Sequence, residues 1–307
     1  MRLVKNLCRI IVGIVFIYSG FVKGIDPLGS DYKFTDYFNA FGMGWMNATT
    51  LFFSFALSLV EFLIGIALLF NLWVSRMAWG SLLFMAFFTP LTLVLALTNP
   101  VSDCGCFGDA MILTNWQTFW KNIILLLLAI MIFVYRKEYK SSLPLVGQFS
   151  FLALAGAGML CLSVYCYRHL PVLDFRPYPV GKNITEGMRL PEGTEPDQYE
   201  VTLKYKNKQT GEVLSFTEEN YPWQDTLNWE YESSSERLVK KGYITPIHDL
   251  IIEHPTLGNI TEEILEDDNH TILAVAYNLT QSDMQYQPAI NRLAEYAQEK
   301  GIRFYGL

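Results

Sequence analysis

Five apolar runs dominate the first half of the chain, each near the roughly 20 residues that a helix needs to cross about 30 Å of hydrocarbon. They fall at residues 7–22, 51–73, 78–97, 116–135 and 148–167. In lipid every backbone polar group must be satisfied within the segment, so such runs are expected to be helices. The first follows Arg2 and Lys5 like a signal peptide, but no small-x-small cleavage site comes after it. It reads as a retained span. The composition changes abruptly near residue 170. Up to His169 there are 11 Lys/Arg and 7 Asp/Glu; beyond it there are 12 and 23. That acidic second half is expected to be water-soluble, and it lacks the basic footprint that nucleic-acid binding requires.

Basic residues near span ends set orientation. Arg2, Lys5, Arg9, Arg76, Arg136, Lys137 and Lys140 mark one set of ends, against Lys23, Lys33 and Arg168 on the other. The expected arrangement has a cytoplasmic amino terminus. The loops at residues 24–50 and 98–115 and the soluble half then share the opposite compartment, the periplasm if the membrane is a bacterial inner membrane.

Of five cysteines, Cys8, Cys161 and Cys166 lie in spans, where a lone cysteine behaves as a small apolar residue. Cys104 and Cys106 instead share a loop, residues 99–109, reading Asn-Pro-Val-Ser-Asp-Cys-Gly-Cys-Phe-Gly-Asp. Two peptide units hold their alpha carbons at the upper edge of disulfide reach, and Gly105 permits the tight turn that closure needs. A bridge there is expected to be strained and therefore exchangeable, and it would restrict the unfolded chain very little. A redox dithiol is the leading reading. A structural disulfide, two reduced thiols and a metal site are the alternatives; the last is short of ligands, since all four His lie at 169 or beyond. Asp103 and Asp109 flank the pair and disfavour thiolate, while a helix starting at Thr114 or Asn115 would favour it.

Glu61 is an ionisable group inside the second run, a functional candidate by default. It could relay a proton or bind a polar headgroup; otherwise it is a protonated carboxyl bonded to Ser54, Ser58 or another helix.

The stretch from Arg9 to Pro27, Arg-Ile-Ile-Val-Gly-Ile-Val-Phe-Ile-Tyr-Ser-Gly-Phe-Val-Lys-Gly-Ile-Asp-Pro, resembles the first span of the DoxX and MauE group. So does the placing of Glu61 in the second span and of Asp103-Cys-Gly-Cys-Phe-Gly-Asp109 between the third and fourth. The resemblance covers about residues 1–140 and implies a four-helix membrane core like that of the vitamin K epoxide reductase class. It implies thiol–disulfide handling for exported proteins, with Cys104 and Cys106 as the redox pair, Asp103, Gly105, Asp109 and Glu61 in support, and a membrane quinone as an electron acceptor by analogy. Here that core is followed by a fifth span and a long tail.

The fold expected is therefore a membrane α-helical bundle, residues 1–140, with a fifth span at 148–169. A Pro- and Gly-rich linker at 170–195 leads to a soluble α+β domain at 196–307. Within the latter, residues 199–206, 212–217 and 227–231 read as an antiparallel meander, 247–253 as a strand and 259–265 as a short helix. Residues 271–277 read as a buried strand, 283–300 as a helix stopped by Gly301, and 303–307 as a further strand. That strand–helix–strand resembles the opening of a thioredoxin-like fold, with Asn278–Asp283 where that family carries its cysteines. The later strands are missing, so the unit reads as a piece of a longer protein in preference to a degenerate one, suited to docking. Trp223, Trp229, Tyr221 and Tyr231 are expected in its core. The Asn-x-Ser/Thr sequons at Asn47, Asn183, Asn259, Asn269 and Asn278 would matter in a eukaryotic secretory setting and are chance in the bacterial envelope setting that the resemblance implies.

The leading functional reading is an inner-membrane thiol–disulfide redox protein whose partners are exported thiol proteins and the lipid bilayer. A non-catalytic scaffold that docks an envelope partner is the first alternative, and a small-ligand transporter using Glu61 is the second.

Overall fold

A computed structural model describes residues 2–101, 103–141, 143–196, 198–217, 220–223, 225–240, 242–243, 245, 247, 250–267, 269–276 and 284–307. It divides into two compact units, Met1–Arg176 and Pro177–Leu307.

The first unit is helical: α1 Arg2–Ile25, α2 Pro27–Ala40, α3 Thr50–Leu69, α4 Val74–Thr98, α5 Asn115–Val134 and α6 Leu145–Arg168. All but α2 belong to segments long and apolar enough to cross a membrane. The chain is a membrane protein. The second run ends earlier than expected, at Leu69, because Asn71 and Trp73 adopt left-handed backbone and turn the chain. The connection from 24 to 50, expected as a loop, contains α2. Asp26 caps its first turn by accepting from Gly29 N at 3.0 Å, and Pro27 occupies the first position, where no N–H is needed. Thr114 closes α5 with a reciprocal capping box to Gln117.

Helices α1 and α3 make the tightest pair in this unit. A Cβ at Gly20 would sit 2.5 Å from Phe62 N, and one at Gly65 would sit 2.5 Å from Ile17 N. Small residues on both faces let the backbones touch, the usual means of helix association where lipid removes the hydrophobic drive. A core of Val12, Phe16, Ile64, Leu68, Met85, Leu125 and Ile132 extends the contact to α4 and α5. At one end of the bundle Lys5 meets Glu138 at 2.7 Å, Tyr139 Oη donates to Lys5 O, and Asn71 donates to Lys140 O. The Cys104–Cys106 loop lies at the other end, against the carboxy-terminal part of α1.

The second unit holds α7 Ile184–Met188, within the segment read as a linker, then β1 Gln198–Asn207, β2 Val213–Thr217 and β3 Trp229–Lys240. These three strands are antiparallel as expected, but the order is β2-β1-β3, not a meander, because β3 returns across β1. Among the described residues of the expected strand at 247–253, only Glu253 is extended in a pair: β4 Glu253–His254 faces β5 Gly258–Asn259. Pro246, His248 and Asp249 lie outside the described residues. The short helix α8, Thr261–Leu265, forms as read. Strand β6, Thr271–Ala274, pairs in parallel with β7, Arg303–Gly306, and α9, Gln287–Lys300, ends at Gly301 with φ 67°. β6 is half-buried throughout and not fully buried as its apolar run suggests. The cysteine-free stretch Asn278–Asp283 lies outside the described residues. Trp223 and Tyr231 are largely exposed, so the aromatic cluster around Tyr205, Phe216 and Trp229 is a surface feature of the sheet in part, contrary to expectation.

Candidate functional site

Gly105 has φ +61°, a backbone that a side chain would strain, and the turn it makes places Cys104 Sγ and Cys106 Sγ 2.9 Å apart. Both thiols are free, as are those of Cys8, Cys161 and Cys166 in the spans. Cys161 faces outward from α6, and Cys8 and Cys166 are buried.

The turn is clamped from several helices. Ser19 Oγ of α1 donates to Cys106 O at 2.7 Å, and Tyr37 Oη of α2 donates to Cys104 O at 2.7 Å. Asp103 accepts from Gly105 N at 2.8 Å and from Lys33 Nζ at 2.7 Å. The stem of Lys33 lies so close that a Cβ at Gly105 would meet it at 3.1 Å. Phe107, buried, packs edge-on to Tyr18, and Lys121 Nζ of α5 lies 4.2 Å from its ring centre. A loop with this many fixed contacts presents its sulfurs in one arrangement.

Electrostatics at the pair differ from the sequence expectation. Asp103 is neutralised by Lys33. Asp109 is set back in a small crevice with Asp26, Lys33 and Arg176, where burial first, then Asp26, raises its carboxyl above the ordinary value. Lysines supply the opposing charge. Cys106 is pushed down to about 6 by the hydrogen bond from the Cys104 thiol, against desolvation, with Lys121 and Lys23 assisting. Cys104 moves up, because its proton is held between the two sulfurs and because it is buried. Burial also raises the Tyr37 phenol, which therefore remains a donor. The two thiols thus titrate as one coupled pair, in which loss of the first proton is favoured and loss of the second opposed.

Beneath the turn lies a cavity of about 230 Å³. Its walls are largely apolar, with the rings of Phe34, Phe84, Phe87 and Phe88 among them. Its polar groups include Cys104, Cys106, Lys23, Glu61, Lys121 and Asn122. Glu61 sits on α3 and is buried, but it does not bond Ser54 or Ser58. Those hydroxyls donate to Pro27 O and Phe55 O, while Glu61 Oε1 accepts from Lys23 Nζ at 2.5 Å. Its second oxygen, Oε2, is buried without a hydrogen-bond partner. Asn122 donates to Thr92 Oγ1 at 3.2 Å.

The structure therefore brings together Cys104, Cys106, Asp103, Gly105 and Glu61, and sets Asp109 behind the loop. Sequence reasoning missed Ser19, Tyr37, Lys33 and Lys121 as site residues and used Lys23 only for orientation. Lys121 lies at the same ends as Lys23, Lys33 and Arg168, so the basic residues divide seven against four. The rule that flagged Glu61 applies equally to Lys23 and Lys121, two cations beside or within apolar runs, and would have found them. Among the described residues no group of three His, Cys, Asp or Glu is placed to hold a metal ion.

The sequence model of the family described as "Methylamine utilisation protein MauE" matches residues 1–135. The amino-terminal half is MauE-like. Residues 199–241 match a family described as "Domain of unknown function (DUF8463)". No curated protein and no solved structure matches the chain. The MauE match takes in α1 to α5, the Cys-Gly-Cys turn and the Lys23–Glu61 pair; α6 and the second unit lie beyond it.

Proposed function

We propose that this protein exchanges disulfides with exported proteins through Cys104 and Cys106. One observation carries the reading: two free thiols 2.9 Å apart in a turn held by α1 and α2, at the bundle end opposite the cluster of Lys5, Glu138 and Lys140. The basic cluster is placed in the cytoplasm by the positive-inside rule, which puts the turn on the oxidising side, and five spans carry the carboxy-terminal unit there too.

The chemistry balances without a further reagent. Cys106 thiolate attacks one sulfur of a partner's disulfide, and the other partner sulfur leaves as thiolate. Cys104 gives its proton to that leaving group, and its own sulfur displaces the first partner sulfur from Cys106. The chain's dithiol is oxidised by two electrons and the partner's disulfide is reduced to one thiol and one thiolate. The reverse sequence oxidises a partner dithiol. A lipid-soluble quinone, if bound, supplies a two-electron acceptor for reoxidation; the aromatic walls of the cavity suit such a ring, with Lys23, Glu61, Lys121 and Asn122 as its polar neighbours.

The matched family's description speaks of methylamine utilisation, and an accessory membrane role is the coarser form of the same proposal. The parallel β6–β7 pair with α9 between them in sequence supports a thioredoxin-like reading of the carboxy-terminal end, in a docking role. The transporter alternative loses its free carboxyl, since Glu61 is paired with Lys23. Replacing Cys104 and Cys106 together by Ser tests the proposal: exported disulfide proteins should change redox state in cells. Unchanged redox states would refute it and leave the scaffold reading.

A further inference from the structure

Lys23 and Glu61 are both buried, in a cavity that also receives Cys104 and Cys106. Burial of a charge pair is costly, and its attraction seldom returns more than that cost, so stability alone gives a weak reason for its presence. Its position gives a better one. Lys23 lies one helical turn along α1 from Ser19, whose hydroxyl holds the Cys106 carbonyl. Gly20, between them, brings α1 against α3 at Phe62, the neighbour of Glu61. The same backbone contact that closes α1 on α3 therefore fixes a cation and an anion beneath the thiol.

We infer that Lys23 and Glu61 form a positioning pair that sets the charge balance at Cys106 and thereby the redox poise of the Cys-Gly-Cys turn. The inference rests on the dithiol reading and deepens it. Every charged or titratable group around the turn enters the balance. Lys23 from α1 and Lys121 from α5 favour the thiolate, whereas Glu61 from α3 opposes it. Cys104 Sγ lies 2.9 Å from Cys106 Sγ, Tyr37 and Lys33 of α2 hold the Cys104 carbonyl and Asp103, and Asp109 with Asp26 lies in the crevice behind. Glu61 holds Lys23 with one oxygen and keeps the other unpartnered. Lys23 thus donates to Glu61 and lines the same cavity as Cys106, so its charge acts on both. When the turn is oxidised the thiolate disappears, and Glu61 alone remains to balance Lys23. A stronger hold of Lys23 on Cys106 stabilises the reduced form and makes the turn a stronger oxidant.

The test uses the full chain, purified in detergent and shown folded by size-exclusion chromatography. Alkylation of Cys106 by iodoacetamide is followed by peptide mass against pH, and the oxidised fraction is followed in glutathione buffers. Glu61→Gln should lower the alkylation midpoint and increase the reduced-to-oxidised ratio roughly three- to tenfold. Lys23→Met should move both in the opposite direction, and Lys23→Arg should restore them most of the way. Should Lys23→Met fail to fold, the double variant Lys23→Met/Glu61→Leu, which removes both charges, should lie closer to the parent than Glu61→Gln does. A folded Glu61→Gln with parental midpoint and ratio, or with shifts of the opposite sign, overturns the inference. The outcome is separable from the proposed function. A shifted midpoint with no change in exported proteins on loss of both cysteines leaves the pair's role intact and removes the exchange activity. The converse removes only the pair's role.

Discussion

In the membrane unit the side chains withdrawn from the surface include Lys23, Glu61, Asn122 and Thr118, while Phe52, Leu83, Leu127 and Leu154 are largely exposed. In the carboxy-terminal unit the withdrawn side chains are chiefly Ile247, Ile252, Ile260, Ile264 and Ala297, and the exposed faces carry most of the chain's acids. Each pattern follows from its solvent. Water lets the second unit place charge outside at little cost, and a small isoleucine core supplies cohesion. Lipid offers no hydrophobic drive between helices, so the first unit relies on close glycine contacts and interior polar pairs. A polar pair inside lipid is therefore an exception that calls for a reason, whereas one on the surface of the second unit is ordinary.

Ion pairs break the comparison most sharply. Lys23→Met leaves Glu61 buried without its cation and should cost about 3–5 kcal/mol in thermal or denaturant unfolding of the detergent-solubilised chain. A loss below about 1 kcal/mol would mean that the pair is hydrated and not a buried one.

The next effect concerns the thiols. With Cys106 lowered to about 6, its alkylation rate should fall as pH drops through that value and level off above pH 7, since the thiolate is the reactive form. At pH 7 its thiolate population is roughly 30-fold that of an ordinary thiol. A profile at Cys106 that instead keeps rising toward pH 9 would show that the turn does not activate its thiol.

Packing gives a contrast within the membrane unit. Gly20→Val drives a side chain into the α3 backbone and should destabilise by about 1–3 kcal/mol or more. Gly158→Ala meets nothing within 4 Å and should be neutral or slightly stabilising, because alanine favours helix. Equal behaviour of the two variants would contradict the α1–α3 contact.

The smallest effect is expected in the second unit. Lys240 pairs with Glu195 at 2.5 Å, but both side chains are more than half exposed, 58% and 60%. Lys240→Ala should change unfolding free energy by about 0–1 kcal/mol and less at high salt. A loss comparable to that of Lys23→Met would abolish the distinction between the regions.

The five spans were legible because length and composition alone determine them. The Cys-Gly-Cys turn was legible because its residues are adjacent. Helix α2 was missed although Asp26-Pro27 is a start signal, since Gly29, Ser30 and Asp31 in its first turns look like loop. The pairing of Glu61 with Lys23 spans 38 positions and depends on how α1 closes on α3, which no local pattern encodes. The strand order was misread for a similar reason: the hairpin of β1 and β2 is local, but the return of β3 to β1 is not. The charge at the thiols was misjudged because Asp103 and Asp109 are near in sequence, whereas Lys121 and Lys23 are near only in space.

The most direct measurement is mass-tagging of Cys104 and Cys106 in intact cells with a membrane-impermeant maleimide, before and after mild reductant. The account predicts that both become tagged only after reduction, from outside the cytoplasmic membrane, at a reductant concentration that leaves the structural disulfides of other exported proteins intact. Tagging that requires membrane disruption, or thiols whose reactivity is the same with and without reductant, would contradict it.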